Sequence, residues 1–264
     1  MELELQLEGL EPAVVEAAVA QLLALEPSAR AVVVLGSHLK GTAAPSSDLD
    51  IKAATVGPPV ARYRTWFEPR PSGRPVHVSA GAKSIDDWIA GRAQPARWAL
   101  GFPALHEAAF LWAFDDARSA LGDPPTNVHP PAQPELEDFV EASLKARRAG
   151  AAGDPAGLRW HAHAAGLLVP GLLRLLNPER IVHDGREALA AALELPVAPD
   201  GYRDDLSACL GVVAADDRAI TDAIARLTSR VLAFLRQRMP DVDPQPGIAA
   251  LLASGALERH AAEP

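Results

Sequence analysis

Gly36-Ser37-His38-Leu39-Lys40-Gly41, followed after a short loop by Ser47-Asp48-Leu49-Asp50-Ile51, decides how the rest of the chain is read. Upstream, Ala31-Val32-Val33-Val34-Leu35 is a continuous apolar run ending at Gly36, the pattern of a strand buried on both faces that stops in a tight turn. A glycine there lets the backbone approach a ligand closely. Ser37 can offer a hydroxyl to a phosphate oxygen, and Lys40 adds a positive charge one turn further on.

The downstream half carries the acids. Side chains alternate along a strand, so Asp48 and Asp50 share one face while Leu49 and Ile51 enter the core. Two carboxylates this close repel unless a cation lies between them, and Mg²⁺ is commonly held by one or two carboxylates together with substrate phosphates. Taken alone, Ser46-Ser47-Asp48 reads as a turn with Asp50 solvated; the upstream Gly-Ser tips the balance toward a metal and phosphate site. A P-loop is excluded, because Thr42 stands where its lysine should follow Gly41.

Gly36-Ser37 followed by Asp48-Leu49-Asp50 resembles the defining motif of the nucleotidyltransferase superfamily that includes DNA polymerase beta. Leu175-Leu176-Asn177-Pro178-Glu179-Arg180, Pro199-Asp200-Gly201-Tyr202 and a closing helix over 220–238 look like the helical domain of kanamycin and related aminoglycoside nucleotidyltransferases. The resemblance implies an α+β chain: an N-terminal mixed sheet with flanking helices over 1–123, a Pro-rich linker over 124–134, and an all-α substrate-binding or interaction domain over 135–264. It implies that Gly36, Ser37 and Lys40 hold a triphosphate and that Asp48 and Asp50 hold Mg²⁺. The donor is then a nucleoside triphosphate, with ATP expected, and the acceptor is a hydroxyl of a small molecule.

Other positions depart from the family pattern. Glu68, on a strand over 63–68, matches an acidic position of the acceptor site. The third carboxylate is replaced by His77 in Arg74-Pro75-Val76-His77-Val78-Ser79, and the general-base glutamate by Lys145, with Glu141 one turn earlier. An imidazole, titrating near about 6.5, can ligate a metal or accept a proton but cannot supply a carboxylate's charge. Asp48, Asp50, His77, Glu68 and Glu141 are the catalytic candidates. A second reading stays open, a noncatalytic nucleotide-binding or interaction protein that keeps the same fold.

Composition narrows the partners. At 264 residues the chain can bury two cores. A formal charge of −9 offers no general basic surface for a polynucleotide, so nucleic acid is not an expected partner, whereas a cationic acceptor such as an aminoglycoside suits it. No apolar stretch approaches membrane-spanning length, and Met1-Glu2-Leu3-Glu4 lacks the basic start of a signal peptide. The lone Cys209, in a helical pattern, excludes an internal disulfide and suits a reducing cytoplasm. A homodimer remains open.

Helical spacing marks 11–29, with Val14, Val15, Ala18, Leu22 and Leu23 on one stripe, and 83–91, where Ser84 is the expected cap. Residues 102–121 read as mostly helical. Further helices are expected over 135–148, 157–176 with a kink at Pro170, 185–194, 202–213 and 216–239, with a frayed or short helical tail from Gly247. His161 and His163, two residues apart on a helix, point in different directions and make no metal pair.

Overall fold

The computed structural model describes residues 3–71 and 73–238, and its chain divides into two compact units: 1–94 with 105–129, and 95–104 with the remainder from 130. The tail expected from Gly247 and the helix end at Met239 lie outside the described residues.

The first unit is built on a five-stranded mixed sheet. Helix α1 (Pro12–Leu25) leads into β1 (Ala29–Val34), a short helix α2 (Gly36–Leu39), β2 (Leu49–Thr55), β3 (Tyr63–Glu68), β4 (Val76–Ser84) and helix α3 (Ile85–Gly91). Then come β5 (Ala104–His106), β6 (Ala109–Ala113), helix α4 (Asp115–Leu121) and β7 (Asn127–His129), with β5 and β7 forming a separate ribbon. The sheet order is β3-β4-β2-β1-β6, and only the β2–β4 pairing is parallel.

β1 is buried on both faces, as its unbroken apolar run requires. Val32 and Val34 pack with Val14, Val15, Ala18, Val19 and Leu22 of α1 on one side. Ala31 and Val33 pack with Trp88 of α3 and Leu121 of α4 on the other. Ser84 closes β4 and caps α3, its Oγ accepting from Asp87 N at 3.0 Å.

The expectation of a mostly helical 102–121 is corrected. Ala109-Phe110-Leu111-Trp112-Ala113 forms β6, antiparallel to β1, and sends Leu111 into one core and Phe110 into the other. A short apolar run reads alike as buried helix or buried strand. The exposed edge of β1 settles it, because that edge would otherwise leave backbone groups unpaired. Part of the expected linker also has structure, since Asn127–His129 pairs with β5.

The second unit is helical, with α5 (Leu136–Ala151), α6 (Pro155–Arg174), α7 (Gly185–Leu193), α8 (Tyr202–Leu210) and α9 (Asp217–Arg238). Phe139, Leu158, Leu172, Leu206, Leu227 and Val231 are fully buried at its centre. Pro170 lies within α6 and is itself buried. Asn177 clamps the chain after α6: its amide donates to Leu173 O and Val197 O, and its Oδ1 accepts from Val197 N. A second small core joins Ala99, Phe102 and Ala104 to Val182 and Ala188, so 95–104 belongs with this unit. Cys209 is buried, and burial pushes its thiol up to about 12, the inert state of a core cysteine.

Candidate active site

Pairing register places the acids. In the parallel ladder Asp50 is opposite Ser79 and Leu49 opposite Val78, so Asp48 at the mouth of β2 falls beside His77. In the antiparallel β3–β4 ladder, Thr65 is opposite Ser79 and Phe67 opposite His77. Asp48, Asp50, His77, Ser79, Thr65 and Phe67 therefore share one face of the sheet.

The side chains converge there. His77 Nδ1 lies 3.9 Å from Asp48 Oδ2, and its Nε2 meets the Thr65 hydroxyl. Both His77 and Asp48 are about two-fifths exposed. The Tyr63 hydroxyl is 3.3 Å from Ser79 Oγ, and Phe67 stacks at a tilt on His77 with ring centres 5.2 Å apart. Tyr63 and Phe67 are both exposed, so this end of the face is open.

Gly36 turns the chain at φ +74°, a left-handed conformation. A Cβ there would lie 2.6 Å from Asp50 Oδ2, so the carboxylate rests directly on the glycine. This contact joins the two halves of the motif. Gly36→Ala is expected to cost roughly 1–2 kcal/mol of stability for the backbone conformation alone, and to displace Asp50. The check is urea denaturation alongside a nucleotide titration, with both stability and affinity falling.

Burial raises the Asp50 pKa, and the Asp48 charge raises it further, while Ser79, Lys52 and His38 pull it down. Ionised Asp50 is thus an unfavourable charge that a cation would relieve. The donors present, two carboxylates with an imidazole alongside, fit a hard divalent ion that completes its shell with phosphate oxygens and water. Among the described residues, no three His, Cys, Asp or Glu side chains are arranged as a closed metal cage. An ion here would rely on oxygen ligands from its substrate.

Ser37 and Lys40 lie on the turn that Gly36 begins, with Lys40 N donating to Gly36 O and Thr42 N to Ser37 O. His38, in the same turn, is only 7% exposed, and neither ring nitrogen has a hydrogen-bond partner. Its ring lines a recess with Glu8, Gly9, Gly41 and Pro45.

Glu68 is not brought to this face. It pairs opposite Val76, whose side chain is in the α1 core, and its Oε2 accepts from Trp66 Nε1 at 3.0 Å. The alternation of β3 separates it from Phe67 and His77.

Residues 135–237, which comprise α5 through α9, match the family described as nucleotidyltransferase, substrate binding domain. The helical unit is thus similar to the substrate-binding domain of nucleotidyltransferases. The chain as a whole is α+β, a mixed sheet with flanking helices and a helical C-terminal unit. No curated protein matches the chain. Among solved structures, a nucleotidyltransferase-like protein from Exiguobacterium sibiricum aligns over 94% of this chain and 89% of its own, at 10% identity and a TM-score of 0.39, too loose to carry an argument of its own.

Within the nucleotidyltransferase-like helical unit, Glu141 is exposed and paired with Lys145, Oε1 to Nζ 2.7 Å, at i,i+4 spacing on α5. The lysine lowers the Glu141 pKa, first through this hydrogen bond and then through its charge. Such a partner keeps the carboxylate ionised and makes it a poorer proton acceptor.

Four further groups were not singled out by the sequence. Thr65 fixes His77 from a neighbouring strand, and Ser79 does the same for Asp50. Lys52 and Lys83 occupy the Asp50 face further along β2 and β4, where Lys52 is opposite Gly81 and Lys83 opposite Ala54. Parity with Asp50 along β2 was the signal available for Lys52.

Proposed function

We propose that the protein transfers a nucleoside monophosphate from a nucleoside triphosphate to a hydroxyl of a small molecule, with Mg²⁺ as the metal and ATP as the expected donor. The observation that supports this reading is the contact of Asp50 with Gly36, a carboxylate with a raised pKa lying against a Gly-Ser turn on an open sheet face. Bound there, a divalent ion would supply charge neutralisation of the phosphates and Lewis-acid polarisation at phosphorus. Asp48 and Asp50 would hold that ion, while Ser37 and Lys40 would bind phosphate oxygens. The acceptor oxygen forms a bond to the α-phosphorus, the bridging α–β oxygen bond breaks in line, and pyrophosphate leaves with the electron pair. The acceptor's proton passes to His77 or to water.

His77 replaces a carboxylate, and in this structure it is oriented by Thr65 toward Asp48. We expect His77→Ala to lower pyrophosphate release by about ten- to a hundredfold, the usual cost of losing a group that orients a metal ligand. The measurement is pyrophosphate release with a panel of aminoglycosides and other polyols. His77→Asp discriminates further: a rate above the parent's means that the natural site is short of one acid.

That shortage favours a second reading, a nucleotide-binding or interaction protein without catalysis. The Lys145–Glu141 pair leans the same way, because it weakens the expected base. Calorimetric titration with nucleoside triphosphates, with and without Mg²⁺, tests what both readings share. Metal-dependent binding is expected; equal affinity for nucleoside and triphosphate would reject the transferase and the nucleotide-binding protein alike and leave only the interaction protein.

A further inference from the structure

Beyond the acid pair, the same sheet face carries an unusual concentration of cations for a chain of net charge −9. The Lys52 side chain crosses Gly81, where a Cβ would meet its Cε at 3.1 Å, and that of Lys83 reaches Gly91 of α3. Both ammonium groups converge on Trp88, at 5.4 and 5.6 Å from its ring centre. Trp88 is 1% exposed, and its indole N–H has no hydrogen-bond partner. On the β5–β7 ribbon, His106 and His129 stand 6.5 Å apart, and His129 Nδ1 is tied to Gln94 O at 2.8 Å.

These groups disturb one another. The Lys83 pKa is lowered by burial, with Asp87 opposing. His106 is pushed down to about 4 by burial, then by Lys52, His129, Lys40 and Lys83. Lys40 belongs to the Gly36 turn, so the positive region runs from that turn to Trp88. Ammonium groups only donate, so a ligand satisfying both lysines must bring several acceptor oxygens and negative charge.

We propose that Lys52 and Lys83, both set over the face of the buried Trp88 ring, form a phosphoryl-binding site beside the acid pair, extended by the His106–His129 edge. The inference rests on reading this face as a nucleotide site and adds to it a specific set of phosphate donors. It also identifies an apolar-strand position, Lys52, as a charged group retained at a cost in burial. The phosphoryl group is either the tail of the nucleoside triphosphate, with the pyrophosphate that leaves, or a phosphate carried by the acceptor. A polycationic acceptor is disfavoured on this side of the face by the same charges.

The probe is inorganic pyrophosphate without metal, followed by calorimetry on the full chain at several salt concentrations. Binding by the parent should weaken as salt rises, and Lys52→Met and Lys83→Met should each lower the affinity by at least about tenfold. Methionine keeps the length of the buried stem. Removing one of two repelling charges should leave the melting temperature of the unliganded variants at or above the parent's, so a folding defect is recognised separately.

Competition by ATP for pyrophosphate assigns the site to the donor's tail. Simultaneous binding of ATP and a sugar phosphate, lost in Lys83→Met, assigns it to the acceptor. Pyrophosphate binding by the parent that both lysine variants retain, or no binding by the parent at all, overturns the proposal. Asp48→Asn with Asp50→Asn removes two negative charges beside the anion, so metal-free pyrophosphate binding should tighten while Mg²⁺-dependent triphosphate binding is lost, and a failure of the metal reading does not mimic a failure of this one.

Discussion

The double variant Asp48→Asn, Asp50→Asn is expected to lose all Mg²⁺-dependent binding of nucleoside triphosphate and to melt no lower than the parent. Both side chains stand on the open face, so asparagine of nearly the same shape leaves the cores of Leu49 and Ile51 untouched. The folded state holds the Asp50 pKa above its ordinary value, through burial and then through Asp48. The sign follows from linkage: a raised carboxylate pKa means that stability is present at low pH and is lost as pH rises through the folded value. At neutral pH the ionised pair is therefore a burden that a cation offsets, and neutral amides remove it. Titration of triphosphate with and without Mg²⁺, with thermal melts at pH 7, reads both halves. Unchanged metal-dependent affinity would remove the acid pair from the site.

The largest effect on stability is expected in the helical unit, at a carboxylate with no access to water. Asp205, in the first turn of α8, is 3% exposed and is held by two arginines one turn apart on α9. Arg226 Nε and Nη2 donate to its Oδ1 at 2.9 and 2.7 Å, and Arg230 Nη1 donates to Oδ2 at 2.7 Å. Arg226→Met with Arg230→Met leaves that charge buried and unpaired, which should cost about 3–5 kcal/mol. Asp205→Leu should cost less, because the arginines it releases are already half in water. Urea denaturation of the three proteins checks the order. A double arginine variant as stable as the parent would mean that Asp205 contributes nothing through its charge.

Much of this architecture was legible locally. The apolar run of β1 ending at Gly36, the parity of Asp48 and Asp50, and the cap at Ser84 each follow from a few neighbouring residues, and each stands in the fold as expected. What failed depended on partners distant in sequence. β6 is a strand because β1 offers an edge, a fact invisible within 102–121 itself. Glu68 fell on the wrong face because a shift of one residue inverts every side chain, and the β3–β4 register cannot be read from β3 alone. Lys52 was passed over inside an otherwise apolar strand. Its partners Lys83, His106 and His129 come from three other strands, so the cluster exists only once the chain has folded.

The central claim is transfer of a nucleoside monophosphate, and its most direct measurement uses ATP labelled at the α-phosphate, with Mg²⁺ and a panel of hydroxylated small molecules. Label should move onto one acceptor with an equal quantity of pyrophosphate released, and both should vanish in the Asp48, Asp50 double variant. Tight Mg²⁺-dependent ATP binding, with neither pyrophosphate nor labelled acceptor formed across the panel, would contradict that claim.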